Sequence, residues 1–582
     1  MSETAEYVPV ATVDEVATES PMLVSEGGHA IALFHHEGEV RAVDNRCPHM
    51  GFPLTEGSVE DGILTCHWHH ARFDLSCGDT FDPWADDVPT YPVDIRDGQV
   101  YVRPEPQREG APEERYLARL ETGLEENLRL VLAKASIGVL DAGVPYDRPF
   151  RTGLTFGTRY RADGWSSGLT IHSALANLEP ILPDADRKRA LYTGLDRVAD
   201  DASGEPPKFD QPALGSTSHD KARLKRWFRD TVEVRDADGA ERCLRTAIAV
   251  LEPSDVAEIL CTAATDHIYL DTGHTFDFVN KAMEALDRAG WDHADAVLPS
   301  LVEPLVSADR GEERSRWRQP VDLAALLFET YERLPEVRRE GRGETWQEPD
   351  DFIETLLGSD PEAIVDALVA AVREGATPEA LAKRVTFAAG RRVAQFGTGN
   401  EFSDWNTIHH TYTYANAVHQ ATHRTSAWEL YRGVLDAALN VYLDRFLNTP
   451  PAPIPDGDPG ADPAEALEHL EETFEREGSV DAAGQAAADF LAGGGSPTRL
   501  QRTLAAALLR EDAGFHTIQN IEVGVRQSDE ASDPARQRVF LIAAARYLAA
   551  HTPTRREAEQ TFNIATRLQR GERLHDGAVP GE

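Results

Sequence analysis

Lysine is scarce in this chain of 582 residues: 7 Lys stand beside 51 Arg, and these 58 basic residues face 99 Asp and Glu, for a formal net charge of −41. A surface so poor in cations lacks the footprint that nucleic acid or an anionic membrane requires, so neither is an expected partner. The balance reads as an acidic, solvated shell suited to a cytoplasm of high salt content. Long apolar runs are missing as well. The run Leu323 to Phe328 falls far short of the about 20 residues a spanning helix needs. Met1 to Glu6 is acidic with no apolar stretch behind it, so no export signal is expected. Cysteine is rare and odd in number, at positions 47, 66, 77, 243 and 261. In a long chain without an export signal that is no disulfide framework, and metal binding becomes the better question. What the chain does have, 41 % hydrophobic residues, is enough to pack several cores.

The expected fold class is multidomain, a small all-β domain followed by a large, mostly α-helical, internally repeated region. Residues 1–104 read as short strands and turns. Glu37-Gly38 and Asp97-Gly98 each sit between alternating segments, and the second is a strong type I′ hairpin signal. A Pro-rich linker is expected at 105–114. From 115 the apolar period changes to 3.6, with helix starts such as Asp360-Pro361-Glu362 and Thr377-Pro378-Glu379. The helical domain is expected over 115–448, a Pro/Gly-rich linker over 449–463, a C-terminal helical module over 464–575 and a tail over 576–582. Alternation around Asp238-Gly239 suggests a stray hairpin within Thr231 to Ala247. The helical part also repeats itself: His274-Thr275-Phe276-Asp277-Phe278-Val279-Asn280 matches His410-Thr411-Tyr412-Thr413-Tyr414-Ala415-Asn416 in type at most positions. Weaker echoes lie at Thr170-Ile171-His172 and at Thr517-Ile518-Gln519, with His516 just before. Duplicated helical units that stack over a shared core account for this.

Within the first domain stand Cys47-Pro48-His49 and, with sixteen residues between, Cys66-His67-Trp68-His69. Each segment offers one thiolate and one imidazole. Two such loops together supply Cys₂ to one iron and His₂ to the other iron of a [2Fe-2S] centre. Here the chain resembles the Rieske family over about residues 7 to 103, and the resemblance extends to Gly51-Phe52-Pro53-Leu54 and Arg72-Phe73-Asp74-Leu75. It implies Cys47, His49, Cys66 and His69 as cluster ligands. It also implies the ferredoxin and ring-hydroxylating oxygenase branch. Phe52 and Trp68 stand where the high-potential branch carries two bridging Cys, and Ala71 and Phe73 stand where it carries Ser and Tyr hydroxyl donors. Fewer donors leave the reduced cluster less stabilised, which places the potential toward the low end of the Rieske range, about −150 mV. Cys77 reads as a packed free thiol.

The remaining roughly 470 residues pose the question of where the electron goes. The oxygenase branch pairs the cluster with Asp-x2-His-x4-His in a sheet-rich domain. That spacing is absent here, since Asp271-x2-His274 has Val279 where the second His belongs. A standard ring-hydroxylating dioxygenase is therefore not expected. On a helix through Asp266 to Leu286, His267, Asp271 and His274 would fall at i, i+4 and i+7, within about 60° of one another. A second helix brings His410, His419 and His423. These six residues are the candidates for a second, non-haem metal site, and His274 and His410, matched in the repeat, are the candidate catalytic residues. Thr407 to Ala417 and Gly514 to Gln519 resemble the helical questin-oxidase-like family, which implies a monooxygenase. No nucleotide-binding or haem-attachment motif is visible. An external reductase or ferredoxin is thus the implied electron donor, with an unidentified small molecule as substrate. The first reading is an oxidoreductase whose cluster passes single electrons to the helical His-containing domain. The alternative is a non-enzymatic electron carrier or redox sensor whose helical repeats dock a protein partner.

Overall fold

The computed structural model describes residues 6–107, 111–215, 220–572 and 574. Met1–Ala5, part of the expected linker and the 576–582 tail lie outside them. The chain divides into two compact units, one of residues 1–149 with 559–582 and one of residues 150–558, at places other than the Pro-rich linkers. Among the described residues no helix is long and apolar enough to cross a membrane.

The first unit opens with the all-β domain. Strands β1 (Val8–Thr12), β2 (Met22–Glu26), β3 (His29–His36), β4 (Glu39–Asp44), β5 (Ser58–Glu60), β6 (Ile63–Thr65), β7 (Arg72–Asp74), β8 (Val93–Arg96) and β9 (Gln99–Val102) form three antiparallel three-stranded sheets, ordered β1-β9-β8, β2-β3-β4 and β5-β6-β7. Both expected hairpins form. Asp97 and Gly98 take φ of 49° and 78°, the left-handed pair that a type I′ turn needs. A short helix α1 (Val13–Glu19) starts at Thr12, whose side chain accepts from Glu15 N while Glu15 caps back. Two apolar clusters fill the domain, one under β1, β3 and β9 and one around Leu54, Leu64, Phe73 and Val88. Helices α2 (Pro112–Glu125) and α3 (Arg129–Asp141) follow, and they belong to this unit.

Among the described residues every regular element of the second unit is a helix, and the large helical region expected after the β-domain is present. The stray hairpin is not. Thr231 to Ala247 belongs to two helices, Lys221–Glu233 and Ala237–Val250, broken at Arg235 (φ 59°) and restarted by Asp236, whose side chain accepts from Gly239 N. The Asp-Gly pair that looked like a turn thus lies in the first turn of a capped helix. Residues 463–558 pack on earlier helices within the same unit: Val480–Ala492 and Pro378–Ala394 both lie against Pro534–Ala550. This unit also buries charge. Lys281 is fully buried, and its ammonium donates to Glu284 at 2.8 Å and Glu522 at 2.7 Å, while Asn177 Nδ2 donates to the same two carboxylates. The pairing is what makes so deep a charge tolerable.

Candidate functional site

The two Cys-His segments occupy matching loops, one after β4 and one between β6 and β7. In the first, Cys47 N donates to Phe52 O at 2.8 Å and Gly51 N to Cys47 O at 2.8 Å. In the second, Cys66 N donates to Ala71 O at 2.8 Å and His70 N to Cys66 O at 3.0 Å. The fifth residue of each loop takes a positive φ, 82° at Gly51 and 65° at His70. The two loops therefore share one hydrogen-bond pattern despite different sequences. Each turn also aims amide hydrogens at its sulfur, from His49 and Met50 onto Cys47 and from Trp68 and His69 onto Cys66.

The loops meet at their cysteines. Both thiols are buried, and Cys47 donates to Cys66. That bond, with burial, pushes the Cys47 thiol up, and it holds Cys66 down at about 6 against the opposing effect of burial, with the Trp68 and His69 amides helping. The His49 and His69 rings stand edge to face with centroids 4.9 Å apart. His49 is held neutral, its pKa lowered to about 4 by burial first and then by His69 and Lys134. Its Nδ1 is buried with no hydrogen-bond partner. His69 is exposed, and His67 turns away to Ser58 Oγ at 2.9 Å. Phe52 and Trp68 lie with centroids 6.1 Å apart, an aromatic contact between the two loops, and Ala71 and Phe73 bring no hydroxyl. Cys77 is exposed, which corrects the packed thiol expected from the sequence: it follows β7 in the turn closed by Gly78 (φ 89°) and lies outside the apolar core.

The rest of the first unit braces this site. From α3, the buried Lys134 ammonium donates to Pro48 O, between Cys47 and His49, at 3.0 Å and pairs with Asp86. Arg119 of α2 donates to Asp86 at 2.9 Å and to the carbonyls of Pro83 and Ala85. Gln569 closes the set by donating to Lys134 O at 3.0 Å.

In the second unit the sequence candidates part company. His274 and His410 come together, ring centroids 4.5 Å apart, and His516 joins them at 5.7 Å from His274 and 4.8 Å from His410. His267 and Asp271 do not. The expected helix through 266–286 begins at His274, because Tyr269, Asp271, Thr272 and Gly273 all take left-handed φ. His267 instead pairs with Glu312 and Glu233, each at 2.6 Å, and Asp271 accepts from Asp309 N at 2.9 Å. His419 and His423 form a separate group with Glu530. His516 was missed as a ligand candidate. Its signal was the His-Thr dipeptide it shares with His274-Thr275 and His410-Thr411, one from each of three helices.

Residues 6–92 match the family described as Rieske [2Fe-2S] domain. The chain is 33 % identical over 102 residues to the ferredoxin component of the alkene monooxygenase system of Xanthobacter autotrophicus, covering 17 % of this chain and 84 % of that protein. It is 43 % identical over 74 residues to the ferredoxin subunit of a 3-phenylpropionate/cinnamic acid dioxygenase of Photorhabdus laumondii, covering 12 % and 70 %. To the ferredoxin component of the naphthalene 1,2-dioxygenase/salicylate 5-hydroxylase systems of a Ralstonia species it is 32 % identical over 103 residues, covering 18 % and 99 %. None of these matches reaches across the helical region, and the questin-oxidase resemblance finds no support in them. By its N-terminal domain, this chain belongs to the Rieske [2Fe-2S] family, which implies an iron-sulfur cluster and an electron-carrying role.

Proposed function

We propose that this chain is a Rieske oxidoreductase in which Cys47 and Cys66 hold one iron of a [2Fe-2S] cluster, His49 and His69 hold the other, and single electrons go to the His-lined region of the second unit for an oxygenase-like oxidation of a small molecule. The observation that carries the ligand set is the buried, unpartnered Nδ1 of His49 beside the Cys47–Cys66 pair. A neutral imidazole with an idle lone pair and thiols already receiving amide hydrogens are what iron ligation asks of these side chains. When bound, the cluster supplies one-electron transfer. Cys47 and Cys66 keep their sulfurs out of water, His69 presents its exposed ring to an electron donor or acceptor, and Lys134 fixes the Pro48 carbonyl and hence the first loop. Insertion of one oxygen atom of O₂ into a substrate, with the other leaving as water, consumes two electrons and two protons. An external reductase or ferredoxin therefore delivers twice per turnover.

Cys47→Ser is expected to abolish the Rieske EPR signal, and its retention would overturn the ligand set. A second reading draws on the relatives, whose names describe ferredoxin components: a carrier or redox sensor whose helical unit docks a partner. Reductase-driven O₂ uptake that requires the helical His residues supports the oxidoreductase. Uptake only when a separate oxygenase is added supports the carrier.

A further inference from the structure

The three-histidine cluster of the second unit has the geometry of a metal site. His274 is the first residue of the His274–Ala289 helix, His410 lies inside Phe402–Thr422, and His516 is the second residue of Phe515–Glu530. One ring nitrogen from each lies within 4.8 Å of the other two. His410 Nε2 and His516 Nε2 are 3.1 Å apart. At metal–nitrogen bonds of about 2.0–2.1 Å, ligands at a right angle sit about 2.9 Å apart and ligands at the tetrahedral angle about 3.4 Å, so this pair already spans two adjacent coordination positions. The third ring reaches the same centre by a shift on the order of 1 Å.

The His516 lone pair faces the other rings; in the 3.1 Å contact His410 Nε2 holds the hydrogen, so binding of an ion there moves that hydrogen to His410 Nδ1. His516 Nδ1 lies 3.1 Å from Asn406 Oδ1, which accepts its hydrogen and leaves Nε2 bare toward the other rings. Burial keeps all three imidazoles neutral, lowering His274 and His516 to about 4 and His410 to about 2. His274 is flanked by Phe278 and Phe515, centroids at 5.9 and 5.4 Å, which form an apolar wall beside the nitrogens. All three His are partly buried, none fully enclosed. Three protein ligands leave positions open, as catalytic rather than structural sites do; imidazole suits zinc, copper, iron and nickel alike, and the one-electron supply of the reading above selects iron.

We propose that His274, His410 and His516 bind a single ferrous ion with open coordination positions beside the Phe278–Phe515 wall, and that Asn406 is a positioning residue that orients His516. The proposal deepens the reading above by naming the acceptor of the electrons. It rests on that reading for the choice of iron and for the use of the electrons, whereas a metal site at the three rings stands on the geometry of the second unit alone.

The test uses the full chain, purified anaerobically and titrated with Fe²⁺, with nitric oxide as the spectroscopic probe. Wild type is expected to take up one iron beyond those of the cluster and to give the EPR signal of a high-spin ferrous nitrosyl. His516→Gln is expected to lose both, with the Rieske EPR signal and melting temperature unchanged. Asn406→Ala, which keeps all three rings, is expected to weaken Fe²⁺ binding about 10- to 100-fold. Glu530→Gln, in the separate His419–His423 group, is expected to change nothing. No extra equivalent in wild type, or one that survives His516→Gln, overturns the proposal and leaves the cluster as a hydrogen-bonded trio of imidazoles. Absence of the extra iron together with persistent reductase-driven O₂ uptake removes this site but spares the oxidoreductase reading. Extra iron with no such uptake does the reverse.

Discussion

The cluster loops and the three-histidine cluster solve the problem of preparing metal ligands in opposite ways. In the β-domain the backbone prepares them: two turns with one hydrogen-bond pattern aim amide hydrogens at Cys47 and Cys66, and each ligand pair sits within four residues of chain. In the helical unit, side chains on three helices converge, His410 and His516 being 106 residues apart, and burial first, with the neighbouring imidazoles, keeps the rings neutral. The loop site therefore depends on local turn geometry, whereas the helical site depends on the packing of the whole unit. Disturbing the core should damage the second and leave the first intact.

The largest effect is expected from Lys281→Met. It leaves Glu284 and Glu522 buried without their shared cation, and breaking such a set costs about 3–5 kcal/mol. Glu522 stands on the helix that carries His516. Thermal unfolding should show the helical transition falling sharply while the Rieske EPR signal persists at temperatures below it. Loss of the Rieske signal in step with the helices would break the comparison.

A smaller effect is expected at the loop site from Lys134→Met. The ammonium that donates to Pro48 O favours the more negative, reduced cluster, so its removal should lower the reduction potential, on the order of tens of mV, in a spectroelectrochemical titration. An unchanged potential would assign Lys134 to bracing alone.

The smallest effect concerns pH. Burial works against protonation of His267, yet the hydrogen bonds it donates to Glu312 and Glu233 prevail over burial and over Arg310, raising its pKa above the ordinary 6.5. A group whose pKa is raised by folding contributes stability below its unfolded value and loses it as pH rises through the folded one. The helical transition should therefore soften as pH rises above 6.5, and His267→Gln should flatten that slope. The same slope in the variant would refute the assignment.

The contrast between the regions also governs what was legible in the sequence. Cys47-Pro48-His49 and Cys66-His67-Trp68-His69 carry their geometry in contiguous residues, and the Asp97-Gly98 turn is a local preference, so both could be read directly. His274 and His410 were legible through their strong match in the repeat, whereas His516 left only a short His-Thr echo, and the meeting of the three rings is set by tertiary packing. His267 and Asp271 misled because spacing counted along an assumed helix does not hold across Gly273, whose φ of 96° marks the helix start. At that position a Cβ would also press within 2.9 Å of the Tyr269 ring, so glycine is required twice over. Asp238-Gly239 misled in the same way, since a side-chain cap from Asp236 makes a helix start out of a turn signal.

The central claim is that electrons held at the Cys-His loops are used at the helical histidines. It is tested most directly by reducing the full chain anaerobically, mixing it with O₂ in a stopped-flow instrument and following reoxidation of the cluster by its visible absorbance. The account predicts reoxidation at least about tenfold slower in His516→Gln than in wild type, a barrier increase of about 1.4 kcal/mol, with the reduction potential unchanged. Equal rates in the two proteins would contradict it.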